Sequence, residues 1–192
     1  EIPVGKYIIF CNRKDVIERL NSNGTVYPEN SIIITENSEL LNDDRYKTEY
    51  IDINDKASYE KIVNEKYNED SEAVILHLFG LDNATFDVNE AESKIVLSIQ
   101  NTIQVFEKNN IKINKFVVIT TDALMLGNKC NKNYLYSIAD GYCTAAVDEG
   151  YNVSYIDIDK ASENNINSII RNELCENTLH RIIYRNGGKI GR

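Results

Sequence analysis

The chain has 192 residues and a net charge of −9, and its 42% hydrophobic and 27% charged residues are the ordinary balance of a globular domain with one core. Twelve acidic and five basic residues lie between Glu36 and Glu72, and such an acidic surface repels phosphate backbones and anionic lipid. The charge therefore argues against nucleic-acid and membrane-surface binding. It leaves a solvated face or a docking surface for a basic partner.

Short β-rich runs alternate with longer helical patterns along the chain. The predicted strands are Tyr7–Cys11, Ser31–Thr35, Tyr50–Ile53, Ala73–Phe79, Phe116–Thr120, Val153–Ile158 and Arg181–Tyr184. The predicted helices lie near residues 14–22, 58–67, 91–109, 132–149 and 163–175. Several strands are continuous in Ile, Val and Leu, as in strands buried on both faces of a parallel sheet. The alternation predicts an α/β fold: a Rossmann-like, doubly wound, mostly parallel sheet of about six or seven strands flanked by helices.

Two predicted helices each carry an apolar stripe that we expect to face the sheet. The stripes are Ile95, Ile99, Ile103 and Phe106 on one helix, and Leu135, Ile138, Tyr142 and Ala145 on the other. Gly150 is placed to end the second helix in a left-handed conformation. Near the end of the chain we expect a strand over Ile182–Tyr184 at or near an edge of the sheet, followed by a flexible exit at Gly187-Gly188.

The sequence shows no interdomain linker, membrane helix or signal peptide. It has only two prolines and no low-complexity stretch, so we predict that residues 1–192 form a single domain. No run approaches the roughly 18 apolar residues of a membrane helix, and no basic region precedes an apolar run at the N-terminus. We therefore expect a cytoplasmic protein. Because the chain starts at Glu1 instead of a methionine, it reads as a piece of a longer polypeptide.

The four cysteines do not suggest a metal site. None forms a CxxC pair, whereas zinc sites are normally built from close ligand pairs. We expect reduced thiols, of which two lie in apolar patterns and behave as small hydrophobes. The four are Cys11, Cys130, Cys143 and Cys175.

The turn after the first strand lacks the glycines that hold a dinucleotide. In dinucleotide-binding folds these glycines let the backbone approach the pyrophosphate and bring the helix close to the sheet. Here Cys11 leads into Asn12-Arg13-Lys14-Asp15-Val16, and no two glycines in the chain stand two residues apart. The sequence therefore predicts that this chain binds no cofactor. A P-loop is absent as well.

Catalytic motifs are missing too. Short-chain reductases use a tyrosine with a lysine four residues later, and none of the twelve tyrosines has lysine at that spacing. GxSxG is absent, and HExxH is impossible because the two histidines are His77 and His180. His77 lies inside an apolar strand, where we expect a buried, hydrogen-bonded imidazole. We predict no catalytic, cofactor-binding or metal-binding residue.

Two acids occupy the place where ligands of α/β sheets usually bind. Asp82 and Asp122 follow the fourth and fifth predicted strands, at the carboxyl edge of the sheet. They could form part of a ligand site, but such residues serve as turn and helix-cap residues at least as often. No nucleophile, base or metal cluster accompanies them in the sequence.

The order and spacing of several segments resemble a known family. In chain order these are AVILHLFGLD at 73–82, a long helix, KFVVITTDA at 115–123, a helix ending in VDEG at 147–150, VSYIDI at 153–158, NEL at 172–174 and HRIIYRNGGKI at 180–190. Together they resemble the N-terminal, structural subdomain of ketoreductase domains in modular polyketide synthases. The match spans nearly the whole chain, although the first 70 residues agree only in pattern.

The resemblance implies a truncated Rossmann fold that binds no cofactor and supports a second Rossmann unit. In the family, that second unit carries the NADPH glycine motif and the Lys, Ser and Tyr that reduce a β-ketoacyl group on an acyl carrier protein. This sequence stops at Arg192, before any of those motifs, so the catalytic residues of the family have no positions here. The implied partners are the catalytic subdomain and other domains of the same chain, with the acyl carrier protein involved indirectly.

Three functional hypotheses remain open at the level of sequence. The first is a scaffold that braces a ketoreductase, and the second is a pseudo-ketoreductase that organises neighbouring domains. The third, from another class, is a small ligand-binding module or enzyme that uses Asp82 and Asp122. A brace should expose apolar side chains when it stands alone, and the candidates are Leu97, Val105, Tyr136 and Tyr184.

Overall fold

A computed structural model describes residues 2–21, 31–68, 71–82, 87–124, 133–175 and 181–191. Its strands are β1 Lys6–Phe10, β2 Ile32–Thr35, β3 Thr48–Tyr50, β4 Glu72–Gly80, β5 Lys112–Thr121, β6 Val153–Ile158, β7 Arg181–Arg185 and β8 Gly188–Gly191. Its α-helices are α1 Lys14–Asn21, α2 Ser38–Leu41, α3 Lys56–Lys66, α4 Val88–Ala91, α5 Ser98–Lys108, α6 Ile138–Asp148 and α7 Ile166–Cys175. A π-helical segment, Glu92–Leu97, joins α4 to α5, and 3-10 turns at Tyr134–Ser137 and Ser162–Asn165 lead into α6 and α7.

The strands form one sheet in the order β3-β2-β1-β4-β5-β6-β7-β8. The first seven run parallel, and β8 runs antiparallel to β7. Long connections carry the chain to both faces, as the right-handed crossovers of parallel strands require. The predicted Rossmann-like, mostly parallel α/β fold is confirmed, and the described residues contain eight strands instead of six or seven.

Each face of the sheet is covered by its own layer of helices. Helices α3, α5 and α6 pack on one face, where the predicted stripe of Ile95, Ile99, Ile103 and Phe106 is buried. Helices α1 and α7 cover the other face through residues such as Val16, Leu20, Ile166 and Ile170. The central strands are buried on both sides, which explains why β4 and β5 read as continuous apolar runs. No helix among the described residues is long and apolar enough to cross a membrane.

The third strand lies upstream of its predicted position, Tyr50–Ile53. In the pairing of β2 with β3, Ile33 is opposite Thr48 and Thr35 is opposite Tyr50. The pairing stops there because β2 ends at Thr35. Ile51 and Ile53 are buried, but they lie in the connection to α3. Their apolar character therefore indicated burial and not strand pairing.

The predicted exit from the domain is wrong. Strand β7 lies next to the sheet edge but pairs with β6 on one side and with β8 on the other. Asn186 and Gly187 have φ angles of 52° and 75°, which a tight two-residue hairpin turn requires. Gly188 thus begins an antiparallel edge strand, and the Asn-Gly pair was the sequence signal for it.

Helix α6 is rotated relative to its predicted orientation. The residues that face the sheet are Tyr136, Ala139, Cys143 and Ala146. The predicted stripe is instead half-buried at Leu135 and Tyr142 and exposed at Ile138 and Ala145. Small and apolar residues lie on both sides of this helix, so its periodicity could not identify the buried face. Gly150 does end the helix with a positive φ of 98°, as predicted.

The side chains predicted to be exposed are mostly buried. Val105, Tyr136 and Tyr184 are all less than a tenth exposed, and Leu97 is half-buried. The hydroxyl of Tyr184 donates a hydrogen bond of 2.6 Å to the carboxylate of Glu173. Val105, Tyr136 and Tyr184 therefore belong to the core of the domain and do not form a free surface. Cys130 and His180 lie outside the described residues.

Gly80 ends β4 at a close approach between two strands. A Cβ atom there would lie 2.5 Å from the carbonyl oxygen of Ile119 and 2.7 Å from Cγ2 of Thr120. We expect Gly80→Ala to lower the free energy of unfolding in urea by about 1–3 kcal/mol, the usual cost of overpacking. The matched control is Gly141→Ala, because a Cβ at Gly141 would meet no atom within 4 Å. It should stabilise α6 by about 0.5–1 kcal/mol, and equal effects of the two changes would contradict the prediction.

Candidate functional site at the carboxyl edge of the sheet

The direction of the strand order changes between β1 and β4. In α/β sheets, ligands bind in the crevice outside the carboxyl ends of the strands at such a point, with a pyrophosphate over the turn after the first strand. Here that crevice is bordered by the connections that follow β1, β4 and β6. Their side chains decide what the site can do.

Asn12 occupies the turn where a dinucleotide fold has its glycines. Its Oδ1 accepts hydrogen bonds from Oγ1 of Thr35 at 3.1 Å and from the backbone N–H of Glu36 at 2.9 Å. Its Nδ2 donates to Oδ2 of Asp82 at 3.1 Å. The side chain thus ties the end of β1 to the ends of β2 and β4, and it stands where the backbone would have to approach a phosphate.

Arg13 links the same turn to two more connections. Its guanidinium donates to Asp15 at 2.6 Å, to the carbonyl oxygen of Leu81 at 3.0 Å and to Oε1 of Glu163 at 3.0 Å. The Arg13 side chain is only 19% exposed. The guanidinium of Arg13 is therefore bound by the protein's own oxygens instead of being available to a phosphate.

Glu163 is the buried centre of this network, with its side chain 1% exposed. Besides Arg13, it accepts hydrogen bonds from Lys160 at 2.8 Å and from the hydroxyl of Thr121 at 3.3 Å. Burial alone would raise the pKa of Glu163, but the hydrogen bonds from Arg13 and Lys160 hold it below its usual value. The carboxylate stays ionised at neutral pH and disfavours an anionic ligand beside it.

Asp82, one of the two predicted acids, lies in the crevice and is 8% exposed. Its Oδ2 lies 3.4 Å from Nζ of Lys94, which also contacts Glu90 at 2.8 Å. Burial raises the pKa of Asp82, against the opposing effect of Lys94. Its Oδ1 is buried and has no hydrogen-bond partner among the described residues.

Lys94 and Tyr136 form a pair that the sequence search missed. Each affects the pKa of the other. Lys94 lies in the π-helical segment before β5 and Tyr136 in the 3-10 turn after it, so a search for Tyr-x-x-x-Lys cannot find them. Burial is the main cause that raises the pKa of Tyr136 to about 12; Lys94 lowers this pKa, and the negative charges of Asp82 and Glu90 oppose Lys94. A phenol with a raised pKa is a weaker acid than free tyrosine, so this cluster is poorly suited to protonate an oxyanion.

Asp122, the other predicted acid, belongs to a different set of contacts. It has a positive φ of 51°, and its N–H donates to the carbonyl oxygen of Ile158 at 2.8 Å. The next connection is held by Asp157, which accepts from the hydroxyl of Thr120 at 2.7 Å and from the N–H of Ala123 at 2.9 Å. Asp122 thus lies at a turn anchored to β6, whereas Asp82 faces β1 and the helix after β4.

The carboxylate of Asp157 is fully buried and is another residue that the sequence did not single out. It forms an ion pair with Arg185, whose guanidinium also donates to the carbonyl oxygens of Asp157 at 3.0 Å and Leu124 at 3.2 Å. This arrangement joins β6, β7 and the connection after β5. It fills the carboxyl edge with the protein's own contacts, and loss of either partner would leave the other charge uncompensated.

His77 is the buried imidazole that the strand pattern predicts. Its Nε2 lies 2.6 Å from Oγ of Ser98, and the rings of Phe10, Phe79 and Phe116 surround it at centroid distances of 5.7, 5.2 and 6.3 Å. Burial lowers the pKa of His77 to about 3. The ring is neutral at physiological pH and lies inside the sheet core, away from the crevice. Within the described ranges no three His, Cys, Asp or Glu residues are grouped so as to share a metal ion.

Comparison with known proteins shows likeness in structure only. No family model and no curated protein matches the chain. The adenylation, ketoreductase and pseudo-Asub multidomain structure of a keto acid-selecting NRPS module superposes with a TM-score of 0.73 at 14% identity, over 98% of this chain and 16% of that chain. An N-terminal ketoreductase from the macrolactin assembly line gives 0.63 at 13% identity, over 97% of this chain and 39% of that chain.

A complete short-chain dehydrogenase/reductase is similar as well. The glucose/ribitol dehydrogenase from Brucella melitensis gives a TM-score of 0.65 at 12% identity, with 95% of each chain covered. At these identities the likeness establishes the fold. The chain spans well under half the length of the first two assembly-line structures and nearly all of this reductase.

Proposed function

We propose that this chain is a non-catalytic structural subdomain that braces the NADPH-dependent ketoreductase unit of a polyketide-type assembly line. The braced unit would reduce β-ketoacyl groups carried by an acyl carrier protein. Support comes from the predicted resemblance, from the fold, and from similar structures described as ketoreductases of assembly lines. Domains of the same polypeptide are then its partners.

The observation that carries the proposal is that the protein's own side chains fill the crevice at the carboxyl edge of the sheet. Where a reductase of this fold holds its cofactor, Asn12 bridges three strands and Arg13 is bound by Asp15 and Glu163. The residues present do not fit NADPH, because they offer a polar side chain and ionised carboxylates to a pyrophosphate. We therefore assign cofactor binding and the reduction itself to another unit, and no step to this chain.

Titration with NADPH tests the first half of the proposal. We expect no saturable heat when NADPH is titrated into the isolated chain, and no turnover of a β-ketoacyl thioester. Isothermal titration calorimetry provides the measurement, with a competent ketoreductase as positive control. Micromolar affinity for NADPH would contradict the proposal.

Complementation tests the bracing. Expressed by itself, the reductase unit of the same polypeptide should be poorly active, and adding this chain should raise its turnover and melting temperature together. For a unit of 150–250 residues, each 1 kcal/mol of stabilisation corresponds to about 2–4 °C. If the reductase unit is fully active and equally stable alone, or if none is encoded with this chain, the pseudo-ketoreductase scaffold for neighbouring domains replaces the brace.

One observation favours a second candidate, a small ligand-binding module or enzyme. Oδ1 of Asp82 is buried without a hydrogen-bond partner among the described residues, and such groups call for an explanation. In this candidate Asp82 and Lys94 would bind a small polar molecule, and Asp122 would take no part. Saturable NMR shifts confined to Asp82 and Lys94 on titration with small carbonyl compounds would favour it over the brace.

A further inference from the structure

Helix α6 has two apolar faces, of which the sheet covers only one. The inner face, Tyr136, Ala139, Cys143 and Ala146, is buried. The exposed side includes polar residues such as Thr144 and Asp148, but it also has a line of apolar and small residues, and contiguous exposed apolar surface marks an interaction site. The opposite face of α6 is therefore the part of the described surface that most needs a partner.

The outer face continues along one line of the helix. Tyr134, Ile138, Gly141 and Ala145 follow each other at intervals of four, three and four residues. Helix α4, which contains the exposed Val88, packs against the turn that contains Tyr134. Val88 is 63% exposed, Tyr134 50% and Ile138 47%. We call these five residues the α6 surface. Gly141 leaves open space at its centre, which permits the close approach of another helix.

The charges around the α6 surface are mostly acidic. Asp87, Glu90 and Glu92 lie next to Val88, and Asp148 and Glu149 lie at the end of α6. Among the described residues, the cations near this surface are paired, Lys94 with Glu90 and Asp82, and Arg181 with Asp140 at 3.0 Å. A second copy of this chain, related by a two-fold axis, would place the same acidic rim against itself. Charge complementarity points to a different occupant.

We propose that the α6 surface docks a helix with an apolar centre and a rim of lysine and arginine. The inference rests on the proposed function in one respect: it places that helix in the reductase unit of the same polypeptide. Apolar contact with Val88, Tyr134 and Ile138 provides the attraction, and the acidic rim selects the partner. The buried tyrosines predicted from the sequence play no part in this contact.

Photocrosslinking in the full-length polypeptide tests the occupant. Ile138 is replaced by p-benzoylphenylalanine, and Lys61, exposed on α3, is replaced in a control. We expect Ile138 to crosslink within one polypeptide to an apolar helix flanked by basic residues, and the control not to crosslink there. A crosslink between two copies of this chain, a crosslink to a different kind of surface, or none at all overturns the proposal.

A matched pair of variants separates docking from folding. Ile138→Asp changes the outer face, and Ala139→Asp places a carboxylate on the inner, buried face. In the isolated chain we expect Ile138→Asp to leave the melting temperature unchanged and Ala139→Asp to lower it by about 10 °C or more. In the full-length polypeptide, Ile138→Asp should reduce reductase turnover at least several-fold. If turnover survives Ile138→Asp while removal of the whole chain abolishes it, the brace stands and the docking site is wrong. If neither change affects turnover, both are wrong.

Discussion

Replacing Arg185 with methionine should lower the free energy of unfolding by about 3–5 kcal/mol, because it leaves a buried charge without its partner. The carboxylate of Asp157 is 0% exposed, and the Arg185 side chain that pairs with it is 13% exposed. Methionine fills a similar volume but returns neither the charge nor the hydrogen bonds to Asp157 and Leu124. Urea unfolding of the isolated chain measures the loss.

Two controls make this result specific. Arg45 also forms ion pairs, with Asp43 and Glu18, but its side chain is 59% exposed and Asp43 keeps its second partner, Lys14, at 2.9 Å. Arg45→Met should therefore cause a much smaller loss than Arg185→Met, because exposed pairs contribute little. The double variant Arg185→Met/Asp157→Asn should recover part of the stability, since it removes the unpaired charge. A loss below about 1 kcal/mol in Arg185→Met would mean that Asp157 is not held by this pair.

The stability of the chain should fall steeply below pH 6.5 because of His77. Its pKa is lowered to about 3 in the folded protein, whereas the ring titrates near its ordinary value of about 6.5 when unfolded. Between these values the unfolded state binds a proton that the folded state does not, so acid favours unfolding. The contribution reaches about 3 kcal/mol at pH 4, at about 1.4 kcal/mol for each pH unit.

The variant His77→Gln isolates this effect, because glutamine can still hydrogen-bond to Ser98 but does not titrate. Unfolding free energies of both proteins are measured in urea from pH 8 to pH 4 and subtracted. The difference should be constant above pH 7 and then shift steadily in favour of the variant. Parallel curves throughout the range would show that the pKa of His77 is the same in the folded and the unfolded protein. Its surroundings would then be more hydrated than the three phenylalanine rings imply.

The sequence alone was sufficient for the features that depend on local pattern and composition. The continuous apolar runs of β4 and β5 identified the central strands, because only a sheet covered on both sides tolerates them. The stripe from Ile95 to Phe106 identified the buried face of its helix, because the opposite positions are polar. The lack of glycine after β1 predicts a turn unsuited to a dinucleotide, and the NADPH titration tests that prediction. Asn186-Gly187 carried a hairpin signal that the predicted exit overlooked.

Only the tertiary structure decided which distant side chains meet. Arg13 and Glu163 lie 150 positions apart in the sequence, and Lys94 and Tyr136 belong to helices separated by β5; no spacing rule connects such pairs. The same holds for α6: small and apolar residues surround it, so packing against the sheet, and not periodicity, selected Ala139 and Cys143 as its buried side. Neighbours along the chain determine the local pattern of helices and strands. The ion pairs in the crevice and the exposed face of α6 depend instead on the crossovers that bring remote segments together.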